Sequence, residues 1–526
     1  MTKYMKPIQT LAALLIAVAA MTACSSENTI ADEPVVKPDA PKTYTMTVQA
    51  CKGDNATTRA LSLNGSTLNA TWTAGEVVTV YNETKAALLS GTLTAQTDGA
   101  NTTLKGTLSG TIENGDKLKL KFLSPNYGTQ DGTLTGSATS IDKVCDYAEA
   151  SVDVTSVSGG NITTTAASFE NQQAIVKFTL MKKLDNSNLE IPASTALTVN
   201  NGTNGYTVTP ASATNVLFVA IPATSTVNLS TTVGSYTYTY EKTGVTLTNG
   251  KYYAIVVKMA RNVNLSSVNA NFELQDGDIV TGTLANNVKI SIANDATVTL
   301  DGVNINTSTN AGITCAGNAN IILVGTNTVI TTANGKPAIQ AGYHDTETKT
   351  LTISGSGSLT ATGGSDAAGI GSGSDGTCGN ITISGGVVTA NGGSNGAGIG
   401  SGSFANSCGN ITISGGTVTA TGGTSAAGIG TGYNSSGCGD ITIKNTVTQV
   451  TATKGNYMWN DFNCIGSGEV GGEVGDIYFG STKVYNRSTG EWTPSPATGP
   501  YGGLNLVIST TNRENDTWTL TPKTTD

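Results

Sequence analysis

Cys378, Cys408 and Cys438 recur at a spacing of 30 residues, each three positions before an Ile-Thr-Ile segment (381–383, 411–413, 441–443). Such spacing admits three chemistries: thiolate ligation of a metal, a disulfide between neighbours, or packing of small apolar groups. Thr348 and Val474 occupy the same place in the flanking copies. A position that accepts Cys, Val and Thr reads as a small buried slot. In-register strands lie about 4.8 Å apart with parallel side-chain directions, which is awkward for the shorter Cβ separation of a disulfide. Packing is therefore expected, and no metal.

Between Leu351 and Asp440 the only charged side chains are Asp366, Asp375 and Asp440. Hydrolysis of a glycosidic bond needs two carboxylates of matched separation, and a lyase needs clustered acidic ligands with a base, so neither is expected. The single histidine, His344, stands in the polar loop Tyr343-His344-Asp345-Thr346-Glu347 and reads as a solvated residue. Asn380, Asn410 and Asp440 form a second column, expected as an internal polar ladder. Gly-rich runs such as Gly371-Ser372-Gly373-Ser374 recur in each copy with no following Lys or helix, which excludes a phosphate cradle. Sugar binding without catalysis needs exposed aromatic faces beside amides. Tyr343, Phe404 and Tyr433, with Asn406 and Asn434 nearby, are the candidate glycan contacts, although they are sparse and not in one column. No catalytic residue and no cofactor is expected.

The elements that position these columns are repeats. Leu351-Thr352-Ile353-Ser354, Ile381-Thr382-Ile383-Ser384 and Ile411-Thr412-Ile413-Ser414 open copies 30 residues long. Each copy adds a second short apolar-alternating segment, a Gly-Gly turn and a Gly-Ile-Gly pinch (369–371, 398–400, 428–430), with no run long enough for a helix. Self-similarity at this period means a stacked array, here a right-handed parallel β-helix over 263–480 with some six coils. Open solenoid ends expose unpaired strands. The swollen coil with Tyr457, Trp459 and Phe462 is expected to cap it, and a hairpin in 481–526 to close the last coil.

Charged residues make up 12% of the 526, against roughly 25% in ordinary soluble chains. With 64 glycines this composition says all-β. A net charge of −9 and the lack of any Lys/Arg cluster argue against nucleic-acid binding. Residues 1–23 read as an export signal, with Lys3 and Lys6 before an apolar core, Leu11 to Ala20, too short to span a bilayer. The signal ends in Met21-Thr22-Ala23-Cys24, which resembles a bacterial lipoprotein signal with Cys24 as the acylated first residue; membrane attachment is expected through lipid alone. Residues 24–43, with Pro34, Pro38 and Pro41, read as an extended tether.

From Tyr44 to about Arg261 short alternating strands separated by turn signals predict two successive β-sandwiches, 44–150 and 151–262. Lys117-Leu118-Lys119-Leu120-Lys121-Phe122 is the clearest: one face apolar, one wet. Thr58-Arg59-Ala60 after a first strand, Trp72-Thr73-Ala74-Gly75-Glu76, Phe218-Val219-Ala220-Ile221-Pro222 and Asn249-Gly250-Lys251-Tyr252-Tyr253 follow in order. This series resembles the fimbrillin family of lipoprotein-derived pilins and tip adhesins, with Glu76 where the family usually has Asp. The resemblance implies two transthyretin-like sandwiches, display at the outer membrane, and partners that are other fimbrial subunits joined by donor-strand exchange. In that scheme a protease cuts at Arg59, leaving Ala60 as the new first residue. Removing one strand exposes two edges that another subunit's extended segment can fill. The competing expectation is a carbohydrate-binding lipoprotein that uses the β-helix to hold a polysaccharide.

Overall fold

The structure, a computed structural model, describes residues 42–523 apart from 53–61, 65–66, 70, 125–126, 343–348, 457–462, 471, 493–499 and 512–514. The fold is all-β: two sandwich-like units followed by a parallel β-helix.

The first strand, Thr43–Lys52, alternates outward and inward residues, so that Tyr44, Met46, Val48, Ala50 and Lys52 all face the interior. It pairs antiparallel with Asn101–Ser109, from Thr43 opposite Ser109 to Cys51 opposite Asn101. Its other edge pairs parallel with Asn161–Thr164 and Ala167–Asn171. The sheet therefore closes on itself around a core containing Trp72, Leu104, Leu120 and Phe169. The boundary expected at 150/151 moves, because Ala148–Ser158 is antiparallel to Lys117–Phe122 and belongs to this first unit, as do 161–171.

The chain interlocks before it divides. Residues 127–145 leave the first unit and pack on the second: Thr129–Gln130 runs parallel to Thr207–Val208, and Tyr127, Ile141 and Cys145 enter the second core. Gln130 fixes this crossing, since its amide Nε2 donates to the Ala220 carbonyl at 2.9 Å while its Oε1 accepts from the Ala220 amide at 2.8 Å. The second unit is built from seven strands between Ala174 and Asn264 around Phe178, Leu217 and Val257.

Only residues 265–271 lie between the second unit and the first solenoid strand, and the sheet itself does not break. That unit's last strand, Tyr252–Asn264, pairs parallel with Ala174–Lys182 and continues the ladder onto Ile279–Thr283, so one hydrogen-bonded sheet runs through both. The boundary expected at 262/263 falls inside this strand. Leu265 and Val268 then cover the lower end of the β-helix core.

Among the described residues the solenoid has eight rungs rather than six, with strands on one face beginning at residues 272, 290, 313, 339, 370, 399, 429 and 465. Its core consists of like stacked on like: Ile370, Ile399, Ile429 and Ile465 in one column, Leu359, Val388, Val418 and Val450 in another. At the far end the antiparallel hairpin Leu504–Thr511 and Asn515–Pro522 lies on Gln449–Thr453. Phe479 meets Tyr501 and Trp518 edge to face, and Trp492 in turn meets Trp518 edge to face. Among the described residues the aromatic cap is thus made by 479–518; Tyr457, Trp459 and Phe462 lie outside them.

Candidate functional site

The cysteine column is where it was expected and does something else. Cys378 pairs with Cys408 and Cys408 with Cys438, while Val474 continues the column. Cys378 and Cys408 form a disulfide with Cα atoms 4.6 Å apart. This corrects the packing expectation: that distance sits inside the Cα range a disulfide tolerates, so adjacent rungs of a β-helix are bridgeable. Cys438 stays a thiol, buried, with its pKa pushed up to about 12, mainly by burial. Cys315, in an earlier rung, is the same.

The asparagine column is also confirmed as a ladder and corrected in place. Asn380 Oδ1 accepts from the Asn410 amide at 2.8 Å, Asn410 Oδ1 from Asp440, and Asp440 Oδ1 from Asp476, each at 2.8 Å. Asn410 and Asp440 are exposed, so the ladder runs along an outer corner rather than inside. Each side chain ties the backbone of the next coil. The column ends at Asp476, whose carboxylate pKa is lowered by Lys483 and by the Arg487 amide.

A second corner presents the aromatic candidates. Asp375, Phe404, Asn434 and Val470 all adopt left-handed backbone (φ 46° to 54°) at equivalent turns of successive coils. Phe404 donates its amide to the Tyr433 carbonyl at 2.9 Å, and the rings meet edge to face with centroids 5.6 Å apart. Phe404 stands level with Asn434 and Tyr433 one residue earlier, so the two rings occupy neighbouring columns, as read from the sequence, yet touch across adjacent coils. Phe404 is 47% exposed and Asn406 donates to the Asp375 carbonyl beside it. Tyr343 and His344 lie outside the described residues, as do Cys24, Arg59 and Ala60.

Among the described residues no three His, Cys, Asp or Glu side chains gather to hold a metal ion. No helix among them is long and apolar enough to cross a membrane.

Two charged clusters escaped the sequence reading. Arg261 forms a two-pronged pair with Asp278, Nε to Oδ1 at 2.9 Å and Nη2 to Oδ2 at 2.7 Å, with Tyr236 and Phe272 flanking the guanidinium. This pair sits where the second unit meets the solenoid. The other is Lys52, buried in the first unit with Glu76 and Asp146. Its signal was present in the inward alternation of the first strand, which ends on Lys52.

A family model described as a β-helix repeat matches residues 351–374, 381–403 and 411–433. No curated protein matches the chain. Among solved structures, a fimbrial assembly protein from Parabacteroides distasonis is similar at 14% identity, covering 41% of this chain and 90% of its own, with a TM-score of 0.23. A protein from Bacteroides uniformis described as a candidate cell-adhesion protein aligns at 12% identity over 41% of this chain and 93% of its own, TM-score 0.24. The shaft pilin SpaA of Lactobacillus rhamnosus GG aligns at 11% identity over 42% and 98%, TM-score 0.19.

Proposed function

We propose that this chain is a non-catalytic cell-surface adhesin or fimbrial subunit, held at the outer membrane by a lipid on Cys24 and projecting its β-helix outward. The observation that supports this best is the unbroken sheet from the second unit into the solenoid. A flexible joint would let the solenoid sample all orientations; a shared ladder holds it as a projecting extension. The surface it projects is poor in ionisable groups, which suits contact rather than acid–base chemistry. Filaments sheared from expressing cells test the reading. The chain is expected in the sheared fraction, and its recovery only as a monomeric lipoprotein would argue for a stand-alone role.

Assembly by strand addition is the finer arm of this proposal. The first strand contacts neighbours along both edges, so its departure after a cut at Arg59 would open a long groove for a donor strand. Terminal sequencing of the extracted protein should then begin at Ala60; a chain that is never shortened sinks this arm.

A second reading, polysaccharide binding, is favoured by one observation: Phe404 and Tyr433 form a joined aromatic step on the outer corner. A glycan array with the mature chain, repeated with Phe404→Ser, separates this from adhesion to a protein receptor.

A further inference from the structure

We propose that Lys52 and Asp146 condense into an intramolecular amide, with Glu76 as the proton carrier, stapling the first strand into its sheet. The geometry is that of a reactive triad. Lys52 Nζ stands 3.6 Å from Asp146 Oδ2 and 3.8 Å from Glu76 Oε2. The Lys52 and Asp146 side chains are almost wholly buried, 1% and 2% exposed, while Glu76 retains 17%. Aromatic rings form the walls: Nζ lies 3.3 Å from the Phe122 ring centre and 4.5 Å from that of Trp72, which itself packs edge to face on Phe122 and Phe169.

In water an amine and a carboxylic acid do not condense, because they ionise and water stabilises both ions. Enclosure in apolar walls weakens that preference, since burial penalises the charged forms. A proton passing from the ammonium to the Asp146 carboxylate leaves the two neutral reactants already in contact, which removes the entropic part of the barrier. The Nζ lone pair then attacks Asp146 Cγ. In the tetrahedral adduct the Glu76 carboxylate takes a proton from nitrogen and passes it to the departing hydroxyl. The Cγ–O bond breaks, the Nζ–Cγ bond remains, one water leaves, and Glu76 returns to its starting state. No oxidant, reductant or activated donor is needed. Glu76 is held for this by the Thr73 amide, which donates to Oε2 at 3.2 Å, and its partial exposure gives the water a way out.

The bond would join the end of the first strand to the residue after Cys145, where the chain returns from the second core to the first. A molecule cut at Arg59 would then keep its first strand and everything N-terminal to it. Strand addition would be closed to it, leaving it as an end subunit that stays tethered. The inference does not rest on the adhesion reading, and its test reads a bond rather than an assembly.

Tryptic mapping of the denatured, uncut mature chain decides it. Because an acylated Lys52 resists trypsin, the expected product is a branched peptide joining residues 43–59 to 144–177, lighter than the two linear peptides together by one water. Linear peptides of full mass, ending at Lys52 and containing an unmodified Asp146, would overturn the proposal and leave a buried ion pair. Two variants test the roles. Asp146→Asn should give the same branch with loss of ammonia instead of water, and Glu76→Gln should abolish the branch in a chain that still folds. A branch that forms fully in Glu76→Gln removes the proton-carrier role. The wild-type map stands even where a variant does not fold.

Discussion

Cys438 shows how far a local environment changes a side chain's chemistry. It lies one rung from the Cys378–Cys408 disulfide, and burial raises its thiol pKa to about 12, with Asp440 adding to the effect. The thiolate is the reactive form, so at neutral pH alkylation should run about a thousandfold slower than for a free cysteine. Mass spectrometry after a short iodoacetamide pulse should find Cys438 unmodified in the native protein and fully modified after denaturation. Rapid native labelling would mean that the column opens. The alignment of these cysteines was legible from the 30-residue period; their bonding was not, because the strand separation is a Cα spacing, which at 4.6 Å a disulfide tolerates, and not the shorter Cβ spacing. Lys52 was legible in part as well. Period-two alternation places it inward, but nothing in the sequence says that Glu76 and Asp146, 24 and 94 positions later, converge on it.

The coils are held by backbone proximity as much as by side chains. At Gly400 the backbone takes φ +131°, and an added Cβ would stand 1.9 Å from the Gly430 carbonyl oxygen of the next rung. Gly400→Ala should therefore cost about 2 to 4 kcal/mol, combining overpacking and backbone strain, read as a lower denaturation midpoint. A neutral result would mean the rungs separate easily. At the aromatic corner the expectation is milder. Phe404→Ser removes an edge-to-face contact worth about 1 kcal/mol, so a loss of glycan binding without a matching loss of stability would identify a binding role. The regular coils were readable because their period repeats, and the corner residues because they interrupt it. The expected six coils fall two short because the early rungs, although placed inside the solenoid, start at 272, 290 and 313, closer together than the later ones, and lack the short fourth strand seen from 377 onward. A shorter coil with no Gly-Ile-Gly pinch offers no self-similarity to detect.

At the scale of the whole molecule, the question is whether the sandwich and the solenoid behave as one body. Arg261 and Asp278 answer for the joint: the aspartate side chain is 1% exposed, the arginine 14%, and the pair bridges the last strand of one unit to the first coil of the other. The Arg261 guanidinium pKa is raised, first by its hydrogen bond to Asp278, and so the arginine stays charged across the physiological range. Removing one partner of a buried pair strands the other charge, at a cost of about 3 to 5 kcal/mol. Arg261→Met should thus lower stability by that amount. Arg261→Met with Asp278→Leu should recover most of it, because the stranded charge goes too. The sequence could not reveal this joint: the alternation of Tyr252 to Met259 reads as an ordinary final strand, and a change in texture after it reads as a boundary. What makes it a joint rather than a boundary is the parallel pairing of Asn262–Asn264 with Ile279–Thr281, a contact without any local signature. Guanidinium unfolding monitored on both sides, by Trp492 and Trp518 fluorescence for the solenoid cap and by hydrogen exchange for 252–264, tests the coupling. In the wild type the two probes should move together. In Arg261→Met the strand 252–264 should exchange at lower denaturant than the cap melts, and coincident transitions in both proteins would mean that the shared ladder, not the ion pair, sets the rigidity of the projection.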